Sequence, residues 1–423
     1  MLDAGERLEP DRGAVLQSLR AAPAETWAAQ SGPLKENSDP DVGGLPKKLM
    51  AGSDFPFRWM DKEGEVEQRA VDTLSSHARG GLSNIWGANL LPLLAQDVGD
   101  WDLPQTAIEP YYKRVSSYVP LAAARDELES LFPIHAERFS ALPVSRQAAF
   151  FLKRLRAAQE RLHSKGVYFG GSRLAVQADP GRGAPGCVAC GLCLYGCPYD
   201  LIYCSAWTVV DMQQHPSFQY RPGVLAERVE SKNGRAVVSL RGIADGAKES
   251  IEADRVFIGA GAVNSTRLLL ASLGAYGQSI EIKDSQYLLI PLMKLLPTFG
   301  VTSERLHTLS QVCLGFLKSR STNRSIHGLI YTYNDLYLRA VMKLSGILAP
   351  IAKPLVHELM GHLSVYQGYL HSDDSHGLVT TLERRGEKEH LVIEKRTNPR
   401  TQQVLSEVRR KLLGLASTLG AAP

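Results

Sequence analysis

"IEADRVFIGAGAVNSTRLLLAS", residues 251–272, reads as three consecutive pieces: an apolar strand, a turn of small residues, and a helix opened by Asn264, Ser265 and Thr266. Polar residues at a helix start satisfy the free amides of its first turn. A strand-to-helix turn of Gly and Ala brings backbone N–H groups and a helix amino terminus against a dinucleotide. By itself the stretch also fits ordinary α/β packing.

Two other stretches extend the pattern. "ARGGLSNIWGANLLP", residues 78–92, is a Gly-Gly loop with Ser83 and Asn84 as polar donors, suited to letting main-chain amides approach a phosphate or a flavin ring. "MLDAGERL", at the start of the chain, reads as the end of a strand running into a turn. In a dinucleotide-binding unit an acidic residue at such a strand end holds ribose hydroxyls; alone, Asp3 reads as part of a frayed terminus.

The third signal is chemical. "GCVACGLCLYGCPYD", residues 186–200, holds four of the six cysteines. Cys187, Cys190, Cys193 and Cys197, followed by Pro198, follow C-x2-C-x2-C-x3-C-P, the spacing with which bacterial ferredoxins bind iron–sulfur clusters. Thiolates three residues apart on a tight loop can each reach a different iron, and Gly191 and Gly196 relieve the backbone. Zinc more often takes C-x2-C pairs separated by a longer loop. In two-cluster ferredoxins the fourth cysteine serves the other cluster, and no second run is present here. The fourth ligand is therefore Cys197, Cys204 or Cys313, or is lacking, which leaves 4Fe-4S and 3Fe-4S both open.

Composition limits the alternatives. The 423 residues amount to about two domains, 44% hydrophobic, with 48 basic against 44 acidic side chains and a formal charge of +4. That balance gives nucleic-acid binding no support. No signal peptide or bilayer-length apolar run is visible. The expectation is a cytoplasmic protein whose clustered thiols are metal or redox ligands rather than disulfides.

Taken together, "LDAG" (2–5), "GGLSNIWG" (80–87), "WDLPQTAIEPYYKRV" (101–115), "CGLCLYGCP" (190–198) and "IGAGAVNSTRLLLAS" (258–272) resemble the glucose-methanol-choline oxidoreductases, a family of FAD enzymes, in the order expected of that family. The four-cysteine segment resembles one found in a bacterial branch of it. The resemblance implies that Asp3 holds the FAD ribose with Gly5 at its turn. It implies that Gly80, Gly81, Ser83, Asn84 and Gly87 line the pyrophosphate and isoalloxazine, and that Ala260 and Gly261 pack against the cofactor. The activity implied is oxidation of an alcohol CH–OH group: a base takes the hydroxyl proton, hydride moves to flavin N5, and the cysteine cluster relays electrons to an external acceptor. That favours a dehydrogenase over an oxidase.

The family's opening strand and G-x-G-x-x-G loop, and its carboxy-terminal His with its His or Asn partner, have no counterpart here, so the chain reads as truncated at both ends. No catalytic base is nominated. The rival expectations are a non-catalytic fragment or partner subunit of such an enzyme, and a flavin oxidoreductase with structural, zinc-binding cysteines.

The fold expected is α/β, α+β overall. A Rossmann-like FAD-binding domain lacking its first strand and glycine loop (1–100 and 200–275) is followed through a helical insert bearing the cysteine loop (101–199) by an antiparallel-sheet substrate domain with helices (276–423). Residues 6–60 read as irregular surface segments, with "DPDVGGLP" (39–46) marking turns. Residues 144–166 read as an amphipathic helix ending at Gly166, and residues 227–242 as a hairpin around Asn233-Gly234. "SIHGLIYTYNDLYL" (325–338) and "HLSVYQGYLHSDDSHGLVTTLE" (362–383) alternate as half-buried strands do, with "HSDDSH" as a polar hairpin turn rather than a metal site. Residues 340–363 read as core helix with a Pro break; the sharper alternative is a surface helix pair against a membrane or a lipidic substrate. The apolar run at 287–301 points toward a lipophilic or bulky substrate.

Overall fold

The computed structural model describes residues 1–37, 48–58, 66–344, 346 and 349–423; "DPDVGGLP" lies outside them. The described residues form an α+β structure with three sheets.

The largest sheet has six strands in the order Ala421–Ala422, Tyr287–Lys294, Leu363–Tyr369, His327–Tyr331, Val312–Phe316, Val167–Gly171, every neighbour antiparallel. Its two-residue periodicity sorts side chains to two buried faces. Val312, Leu314 and Phe316 meet Phe151, Leu155, Val404 and Val408 from the helices Arg146–Arg156 and Arg400–Gly414, all fully buried. Cys313, Leu329 and Tyr331 point the other way, against Leu128, Phe132 and Tyr168.

A four-stranded sheet runs Val66–Arg69, Lys388–Arg396, Gly377–Arg385, Ser279–Ile282. Its first pair is the one parallel strand pair among the described residues. The third sheet is the meander Val224–Lys232, Arg235–Gly242, Lys248–Ala253. Asn233 and Gly234 turn the expected hairpin with φ of 52° and 77°, the backbone such a two-residue turn requires. The helix Ala262–Ser272 lies beside this meander and buries Val263, Leu270 and Ala271 on Leu382, Leu391 and Ile393 of the four-stranded sheet.

Several elements depart from the sequence reading. The strand expected ahead of Gly261 is confined to Lys248–Ala253; the apolar residues after it belong to no strand, and Phe257 is 90% exposed. They have no neighbouring sheet edge to pair with among the described residues. The helix starts two residues before Asn264, with Gly261 at its cap. The expected irregular segment 6–60 contains the helix Pro10–Ala21 and the short helix Trp27–Gln30, and Leu19, Trp27 and Leu34 are at most 2% exposed. Proline sits well at a helix's first position, because the N–H it lacks would be unpaired there.

The amphipathic helix at 144–166 is two pieces, Arg146–Arg156 and Gln159–Ser164. Of the run 325–338 only His327–Tyr331 is strand, and a helix, Asp335–Leu344, begins at Asp335. "HSDDSH" does form a tight turn at Ser372–Asp374 but not a hairpin: Leu363–Tyr369 belongs to the six-stranded sheet and Gly377–Arg385 to the four-stranded one. The helices Asp335–Leu344 and Ala349–His362 carry the 340–363 segment, with Pro354 inside the second. Val356 and Met360 are buried against Val301 and Leu338. No described helix is long and apolar enough to cross a membrane.

Candidate redox site

The cysteine loop is held from two sides. On one, Leu19, Trp27 and Leu34 from the amino-terminal helical segment bury against Leu192 and Tyr195, and the Trp27 and Tyr199 rings meet at 4.8 Å. On the other runs the segment 305–309, which belongs to no strand. Arg305 donates to the Val188 carbonyl at 3.0 Å, Leu306 bridges Cys190 in parallel, and the Thr308 hydroxyl donates to the Gly191 carbonyl at 3.3 Å. Gly191 and Gly196 have φ of 78° and 115°, conformations that side chains disfavour, so the glycines of this motif are backbone requirements.

Cys187, Cys190, Cys193 and Cys197 all border one small cavity of about 20 Å³, walled otherwise by apolar side chains and His307. Burial raises the thiol pKa of Cys187 to about 11 and of Cys190 to about 12, and pushes Cys197 higher still. All six cysteines are free thiols. Among the described residues no three His, Cys, Asp or Glu side chains converge as a single bound metal ion would need.

Cys193 and Cys197 also border a wider cleft of about 430 Å³. Its floor is the glycine loop, with Arg79, Ser83 and Asn84; its rim is the chain start, with Glu6 and Arg7; Cys204 and Trp207 close one side. Lys48 lies in its wall, and desolvation lowers the pKa of that ammonium to about 8 against the opposing pull of Cys193 and Cys197. Arg7, Arg20, Lys48 and Arg79 outnumber Glu6 and Asp200 here, so the cleft favours an anion. Asp200 is held above its ordinary pKa by burial, although Trp207 donates to it at 2.8 Å.

The glycine loop is shaped by close packing. Gly80, at φ 86°, backs onto the Cys204 sulfur and the Ala206 amide, each 2.8 Å from where a Cβ would stand. Gly81 faces open space, and a Cβ on Gly87 would meet the Tyr331 hydroxyl at 3.0 Å. The polar side chains expected to act as ligand donors are used to hold the loop. Ser83 Oγ accepts from the Ser205 amide at 2.9 Å, and Asn84 Nδ2 donates to the Arg79 and Gly81 carbonyls at 3.1 and 2.7 Å.

Asp3 lies beyond the cleft rim; its amide donates to the Arg221 carbonyl and its carboxylate accepts from the Tyr220 hydroxyl at 2.8 Å. Gly5, at φ 71°, packs on Pro222. Ala260 and Gly261 are exposed at the start of the helix Ala262–Ser272 and border neither cavity. In the "HSDDSH" turn, Asp373 pairs with Arg324 at 2.6 Å, and His371 Nε2 lies 3.0 Å from the Asp97 carbonyl.

The cleft brings the cysteine loop together with Ser83 and Asn84 of the glycine loop, while Asp3, Gly5, Gly80, Gly81, Gly87, Ala260 and Gly261 are not in its lining. Sequence reasoning overlooked Lys48, His307 and Trp27. For Trp27 the signal was present as helical apolar spacing; for the other two no motif carries it.

No protein-family model matches the chain, and a search of curated proteins finds no significant match.

Proposed function

We propose that this chain is the electron-relaying part of an FAD-dependent dehydrogenase of the glucose-methanol-choline type, with the four cysteines holding an iron–sulfur cluster beside the flavin site. The observation that carries the reading is the shared wall: the thiols of Cys193 and Cys197 border both the four-cysteine cavity and the anion-favouring cleft on the glycine loop. A flavin in the cleft and a cluster in the cavity would stand next to one another. When bound, FAD takes a hydride from an alcohol carbon and the cluster passes the electrons singly to an external acceptor.

The chain's own residues supply binding and shielding. Cys187, Cys190, Cys193 and Cys197 would hold the cluster. Trp27 and Leu309 keep water from it. Arg79 and Lys48 offer positive charge to the flavin side. A Rossmann-like FAD-binding unit built on the elements around the helix Ala262–Ser272 is part of this reading, as are a cytoplasmic setting and an alcohol of lipophilic character.

The alternative reading places a structural zinc ion on the same four thiols.

The test is anaerobic purification with iron, acid-labile sulfide, zinc and flavin analysis beside an absorption spectrum. Iron with matching sulfide and a broad visible shoulder is expected. Zinc alone, or no metal with reactive thiols, overturns the reading.

A further inference from the structure

His307 is 3% exposed and its Nδ1 has no hydrogen-bond partner among the described residues. A buried imidazole nitrogen left unpaired costs free energy, so a native fold that keeps one has a use for it or a partner to add. This side chain borders the cavity of the four cysteines. The segment that carries it is pinned along the cysteine loop by the Arg305, Leu306 and Thr308 contacts. Leu309, two residues on, borders the same cavity as His307. The imidazole is therefore fixed in the cavity wall from a distant part of the chain. The four thiols already match the four irons of a cubane, so a fifth polar group has a different task.

We infer that the Nδ1–H of His307 donates a hydrogen bond to a sulfur of the bound cluster and so sets its reduction potential. The inference rests on the cluster reading above. A donor aimed at sulfur stabilises the more negative, reduced cluster more than the oxidised one, and hydrogen bonds to sulfur are among the terms that tune such potentials. Its removal lowers the midpoint potential. His307 is thus a positioning residue for electrons, with no bond to iron.

The experiment compares anaerobically purified wild type with His307→Leu and His307→Gln by iron and sulfide content and by an EPR-monitored redox titration. Unchanged iron and sulfide are expected in both variants. In His307→Leu the reduction equilibrium should shift about tenfold toward the oxidised form, about 59 mV for a one-electron couple. His307→Gln, which keeps an N–H donor, should recover part of the shift. An unchanged potential in His307→Leu overturns the inference, and so does loss of iron from both folded variants, which would make the imidazole a ligand. If the leucine variant does not fold, pulsed EPR of reduced wild type with 15N-labelled histidine decides: a weak imidazole coupling supports the hydrogen bond, and none, or one of ligand strength, overturns it. Absence of iron from the wild type would instead sink the cluster reading itself.

Discussion

The ammonium of Lys48 donates to the carbonyl oxygen of Trp86 at 2.7 Å, joining the wall of the cleft to the far end of the glycine loop. With its pKa lowered to about 8 by burial, the lysine is charged at neutral pH and loses that charge as the pH rises past 8. If the cleft takes FAD as proposed, Lys48→Met should weaken its binding about tenfold at pH 7, within the range for a hydrogen bond from a charged group. The gap between variant and wild type should narrow by pH 9. Quenching of flavin fluorescence on titration measures both, and a gap independent of pH would show that the charge plays no part.

Gly80 and Gly81 adjoin one another, yet substitutions there should behave differently. Gly80→Ala places a methyl group 2.8 Å from the Cys204 sulfur and the Ala206 amide, on a backbone at φ 86°. Left-handed strain and overpacking together cost roughly 2–4 kcal/mol. Gly81→Ala meets nothing within 4 Å at φ 56° and should cost roughly 1 kcal/mol. Chemical denaturation of the two variants gives the comparison directly.

His327 is held neutral inside the fold. Burial lowers its pKa from 6.5 to about 4, and its ring nitrogens lie 3.3 Å from the Tyr168 hydroxyl and from Asn89 Oδ1. Between these two values the unfolded chain takes up a proton that the native chain refuses, so stability is full above pH 6.5 and falls as the pH drops toward 4. The loss amounts to on the order of 3 kcal/mol. His327→Phe should flatten the acid limb of unfolding free energy against pH by about one proton; an equally steep limb would refute this.

Leu295, Leu296, Phe299 and Leu355 are each more than 70% exposed. The stretch bearing the first three is tied to the end of the helix Ala349–His362: the Thr298 amide donates to the Gly361 carbonyl at 2.9 Å, and His362 Nδ1 lies 2.7 Å from the Lys294 carbonyl. If this patch enters a bilayer surface, the triple variant Leu295→Ser/Leu296→Ser/Phe299→Ser should cosediment with phosphatidylcholine vesicles at least about tenfold less, since each buried large apolar side chain is worth about 1.5–3 kcal/mol. Equal sedimentation of both proteins would remove the membrane contact.

How much was readable from sequence follows from how local each signal is. The Asn233-Gly234 turn was legible because positive φ at two successive residues is written in the residue types themselves. The clustering of Cys187, Cys190, Cys193 and Cys197 was legible for the same reason. The segment 6–30 was misread because its Pro and Gly obscured Val15, Leu16 and Leu19 at helical spacing. Residues 255–258 looked like strand because apolar branching is a local property, whereas pairing needs a partner that composition does not reveal. His307 was invisible because it meets the cysteine loop through contacts spanning 117 residues.

The small cavity has a consequence for the order of events during folding. Its wall is drawn from Trp27, Leu142, the stretch around 187–202 and residues 307–309, so none of the enclosure exists until contacts far apart in the chain have closed. Such closures cost loop entropy before they are rewarded and slow the approach to the native state. A ribosome-bound chain that has emerged only as far as residue 200 displays all four thiols but lacks the His307 and Leu309 side of the wall. On the proposed cluster reading, delivery of the cluster follows synthesis of His307, and the four thiols stay less sheltered until then.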